Sequence, residues 1–90
     1  MYKYASTLFN TPLQASRAAV SDFLYASGNN SSETVAAMNI HEVTAELADL
    51  VARDDWTVPY LDEHTQTVAE MVRDIICEAG EELDANGGAA

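Results

Sequence analysis

Carboxylates dominate the chemistry this sequence has available. At about 100° per residue, Glu63, Glu70, Asp74 and Glu81 fall in a narrow band on one side of a single amphipathic helix. The band is about 27 Å long at about 1.5 Å of rise per residue, and Glu78, Glu82 and Asp84 widen it toward the C-terminus. A second group, Glu42, Glu46 and Asp49, recurs at helical spacing on the polar side of an earlier segment. Carboxylates spaced this way suit charge-assisted pairing with Lys and Arg of another molecule. They do not suit acid–base catalysis, which needs burial to separate the pKa values of a pair. Asp54-Asp55 and Asp62-Glu63 are adjacent acids on a connector and a helix cap, with no sign of that burial.

The remaining reactive side chains carry little. His41 and His64 belong to no H-E-x-x-H or Cys/His spacing, so no metal ligand set and no cofactor is expected. Cys77 is the single cysteine and projects to the polar side of its helix; no disulfide within the chain is available to it. No serine stands in a G-x-S-x-G elbow and no glycine-rich phosphate loop is present. An enzyme is therefore not expected.

The elements that must position these acids are helical. Thr11 and Pro12 open a first helix that Gly28 ends. Its core face is Leu13, Val20, Phe23 and Leu24, and its alanines let neighbours approach closely. Asn30 with Glu33 reads as a capping box for a short helix over Thr34–Met38. Asn39 with Glu42 repeats the signal for a third helix from Ile40 to about Arg53, with Ile40, Val43, Leu47, Leu50 and Val51 as its stripe. After a connector around Pro59, Asp62 is expected to cap a last helix running to about Leu83. Its wide apolar face is Leu61, Val68, Met71, Val72, Ile75, Ile76, Ala79 and Leu83. Residues 84–90 are expected to fray.

The pattern therefore predicts an all-α fold: a small bundle of three long helices and one short helix, in one domain spanning 1–90, with residues 1–10 as an extended arm. Tyr2 to Phe9 is strand-like, but a strand needs a partner for its backbone. Tyr2, Tyr4, Phe9, Trp56 and Tyr60 are expected to cover the open side of the bundle. The alternative is that they form an aromatic patch for self-association or partner binding.

Composition sets the partner class. The chain has 90 residues, is 48% hydrophobic, and carries fifteen acids against four bases for a formal net charge of −11. All but one of the acids lie from Glu33 onward, against Arg53 and Arg73 alone; residues 1–32 carry only Lys3, Arg17 and Asp22. Such a molecule repels nucleic acid and anionic membrane and is attracted to basic surfaces. No signal-peptide or membrane-spanning run is legible, so a cytosolic location, including the cytoplasm of a phage-infected host, is the expectation.

In size and charge, carried by Glu63, Glu70, Asp74 and Glu81 with Glu42, Glu46 and Asp49, the chain resembles small acidic phage proteins that disarm bacterial defence, the anti-CRISPR and anti-restriction inhibitors. The resemblance lies in overall character rather than in any motif. It implies a non-enzymatic inhibitor, a DNA mimic in some families, that sets its acidic face on the basic nucleic-acid-binding surface of a defence complex. Three readings stand beside it: an acidic face that serves solubility alone, a small helical adaptor, homodimeric, that works through hydrophobic contacts, and, least favoured, an enzyme subunit or metal-binding module.

Overall fold

The computed structural model describes residues 1–87, with side chains for 1–85. The chain is mostly helical, and the N-terminal arm departs first from expectation. Tyr2–Tyr4 (β1) and Thr7–Phe9 (β2) pair antiparallel in the register Tyr2↔Phe9, Lys3↔Leu8 and Tyr4↔Thr7. The extended arm is thus a hairpin, and its backbone finds its partner within the arm itself. Ala5 takes a left-handed conformation (φ 53) to close the turn.

Local cap chemistry sets most helix ends. α1 (Pro12–Ser27) begins where Thr11 accepts a hydrogen bond from the Gln14 amide at 3.1 Å. It ends at Gly28, whose φ of −94 is not left-handed. Glycine eases the packing there: a Cβ would stand 3.1 Å from Val35 Cγ2 and 3.3 Å from the Met38 methyl, close enough that these side chains would have to give. The left-handed turn is made by Asn29 (φ 57) and Asn30 (φ 58), a conformation asparagine tolerates. Asn30 is therefore unavailable as a cap, and α2 (Ser32–Ala36) is capped by Ser31 instead, through the Thr34 amide. α3 (Ile40–Ala52) is capped as expected, with Asn39 Oδ1 accepting from the His41 and Glu42 amides.

The last helix starts one and a half turns later than the sequence suggests. Leu61–Glu63 forms a separate 3-10 turn, His64 returns to extended backbone, and α4 runs Val68–Gly87. Thr67, not Asp62, is the cap: its hydroxyl accepts from the Glu70 amide at 3.2 Å. At the other end, Asp84 to Gly87 continue the helix rather than fray. The rest of the expected tail, residues 88–90, lies outside the described residues.

α4 is the hub. α1, α2 and α3 each pack on it, while α1 and α3 do not meet each other. Met71, Val72, Ile75, Ile76 and Ala79 of α4 are buried together with Val20 and Leu24 of α1, Val35 of α2, Leu47 of α3 and Val58 of the connector. Burying a side chain the size of Leu24 or Leu47 contributes about 1.5–3 kcal/mol. The hairpin lies on α1 and closes the bundle toward the connector. No helix among the described residues is long and apolar enough to cross a membrane.

Candidate functional site

The expected stripe on α4 is divided by the fold. Glu63 sits in the 3-10 turn and does not share the helix with Glu70, Asp74 and Glu81. Arg17, reaching across from α1, holds Glu78 Oε1 at 2.9 Å and stands 3.9 Å from Asp74 Oδ2. Asp74 also accepts from Gln66 Nε2 at 3.0 Å, and Glu82 accepts from the Ser32 hydroxyl at 3.3 Å. Asp74 and Glu78 are therefore partly spent on the chain's own structure. Glu70 makes only a local contact, accepting from Thr67 Oγ1 at 3.3 Å. Glu70 and Glu81 are exposed and stand in no ion pair among the described residues.

On α3, Glu42, Glu46 and Asp49 are exposed as expected. Arg53, one turn after Asp49, pairs with it at 3.2 Å and with Asp55 at 3.5 Å. Both pairs are open to solvent, where such contacts contribute about 0.2–1 kcal/mol. Arg17 and Arg53 account for every ion pair among the described residues, which leaves Asp54, Asp62, Glu63, Glu42 and Glu46 free of any base.

Glu63 of the expected stripe and two acids outside it, Asp54 and Asp62, line a cavity. A hollow of about 420 Å³ opens where the connector leaves α3, lined by Val51, Asp54, Trp56, Tyr60, Asp62 and Glu63 among others. The adjacent pairs Asp54-Asp55 and Asp62-Glu63 gave a signal in sequence, but the fold alone brings the two connector ends together.

The aromatics serve as packing. Tyr2, Tyr4, Phe9, Trp56 and Tyr60 are all half-buried. Tyr2 and Tyr60 meet edge to face with centroids 5.3 Å apart, and Phe23 and Trp56 are 5.2 Å apart at 48°. The Tyr60 hydroxyl donates to Lys3 O at 3.1 Å, covering a β1 carbonyl. Burial, then the hydrogen bond to Asp22 and its charge, raise the Tyr4 phenol above its ordinary value of 10.0.

One arrangement has the outline of a nucleophile and base. Ser16 Oγ and His64 Nε2 lie 2.9 Å apart. Yet Ser16 is fully buried, and its hydroxyl donates to the Pro59 carbonyl. That uses its one proton, so it accepts from His64, and Nε2 carries the ring hydrogen. The pair clamps the connector to α1 and offers no substrate an approach. Cys77 is free and exposed. His41 is exposed on α3, and no three His, Cys, Asp or Glu side chains among the described residues are grouped to hold a metal ion.

No family model, no curated protein and no solved structure matches the chain.

Proposed function

We propose that this protein acts without chemistry of its own, by docking an acidic surface on the basic nucleic-acid-binding surface of another protein and occluding it. A protein of a bacterial defence complex fits that description of the target. One observation carries the reading: exposed acids on α3 (Glu42, Glu46), the connector (Asp54, Asp62, Glu63) and α4 (Glu70, Glu81) have no basic partner among the described residues. The molecule keeps a net charge of −11 that its fold does little to neutralise. The acids proposed for docking are therefore not confined to a single helical stripe, and of the expected stripe Asp74 and Glu78 are held by Arg17.

The hydrophobic adaptor is less favoured. The exposed large hydrophobics among the described residues are Met1, just before the hairpin, and Leu8, within it, and two such residues are ordinary on a protein surface.

The test is capture of the heparin-binding fraction of a host lysate on immobilised protein. The reading expects one retained protein that duplex DNA displaces and that releases steeply between about 50 and about 200 mM salt. Retention that is indifferent to both DNA and salt would refute it.

A further inference from the structure

The cavity at the connector has walls of two kinds, and the combination selects a ligand. Trp56 and Tyr60 supply aromatic residues, while Asp54, Asp62 and Glu63 supply carboxylates that stand in no ion pair among the described residues. Its volume of about 420 Å³ lies within the range of about 300–1,000 Å³ found for small-ligand sites. Each ring also packs on a second aromatic, Trp56 on Phe23 and Tyr60 on Tyr2, which restrains its position.

We infer that this cavity is a guanidinium site, taking the side chain of an arginine presented by the partner. A guanidinium is planar, weakly hydrated and able both to stack on an aromatic ring and to offer forked N–H donors to carboxylates. An ammonium is a strongly hydrated point charge and matches only the second feature. The source of the arginine rests on the docking reading above; the chemistry of the cavity does not.

Agmatine, which is a guanidinium on a butylamine chain, separates the two. Trp56 is the single tryptophan, so its fluorescence and its indole N–H resonance report on the cavity. Titration with agmatine is expected to give a saturable change at Trp56. 1,5-Diaminopentane, which carries the same two positive charges without a guanidinium, is expected to bind at least about threefold more weakly, since it lacks the stacking group. The double variant Asp54→Asn/Glu63→Gln is expected to bind agmatine about tenfold more weakly, having lost two charge-assisted contacts. Asparagine tolerates the left-handed backbone of residue 54 (φ 58), so circular dichroism of the variant should match the parent. A non-saturating response, an equal response to 1,5-diaminopentane, or a double variant that binds like the parent would each overturn the assignment. Salt-sensitive capture of a basic protein alongside a silent agmatine titration would sink the cavity and leave the docking reading standing. A saturable agmatine response with no salt-sensitive capture would do the reverse.

Discussion

Ser16 on α1 and His64 in the connector are 48 residues apart in sequence and 2.9 Å apart in space. Together with the Pro59 carbonyl they form a three-group knot in which Ser16 donates once and accepts once. The knot fixes the segment that carries Trp56, Tyr60, Asp62 and Glu63 against the bundle. Ser16→Ala should leave the Pro59 carbonyl and the His64 N–H without partners, at a cost of about 1–3 kcal/mol. Urea unfolding checks this. The loss should be larger than that of Ser21→Ala on the same helix, because Ser21 is not fully buried.

The hairpin is coupled to pH through Tyr4. Burial and Asp22 raise its folded-state pKa, so the fold prefers the protonated phenol. That contribution is fully present below the unfolded value of about 10 and is lost as pH rises through the higher folded value. Stability measured against pH should fall at alkaline pH, and the fall should be shallower in Tyr4→Phe, which has no proton to lose. Equal slopes in the two proteins would remove the Tyr4–Asp22 contact from the account.

The start of α4 can be located by mutation. Thr67→Ala removes the hydroxyl that caps the Glu70 amide and should cost about 1 kcal/mol. Asp62→Ala should cost little, since no helix amide is capped by it. The reverse ranking in chemical denaturation would place the helix start at Asp62.

Leu47 is the buried anchor of α3, at 0% exposure. Leu47→Ala should destabilise the fold by about 2–5 kcal/mol, as large-to-small changes at closed core sites do. Glu46→Gln, its exposed neighbour, should change stability by no more than about 0.5 kcal/mol.

What the sequence disclosed was local. Thr11 and Asn39 act as caps because their side chains reach amides two or three residues away, and that chemistry is written in adjacent letters. The apolar stripes of α3 and α4 were legible because burial repeats with the helical period. The start of α4 was misread because Leu61 and Val68 are seven residues apart and stay in register across a break, so periodicity ran through the 3-10 turn into the true helix. The hairpin was obscured because Tyr2 to Phe9 reads as one strand until Ala5 turns back on itself. The pairing of Arg17 with Glu78, across 61 residues, could not be read from spacing at all. That pairing decides which acids remain free, and so the composition of the candidate face depended on tertiary contacts.

The most direct measurement compares the parent with a variant reversed at exposed acids for which no hydrogen bond or ion pair is found among the described residues, Glu46→Lys/Glu63→Lys/Glu81→Lys. Both proteins would be tested for DNA-displaceable capture of a basic protein from the heparin-binding fraction, with circular dichroism confirming equal helicity. The account predicts that the reversed protein captures nothing at about 50 mM salt, where the parent binds. Equal capture by both would contradict it, and the acids would then serve to keep the protein in solution.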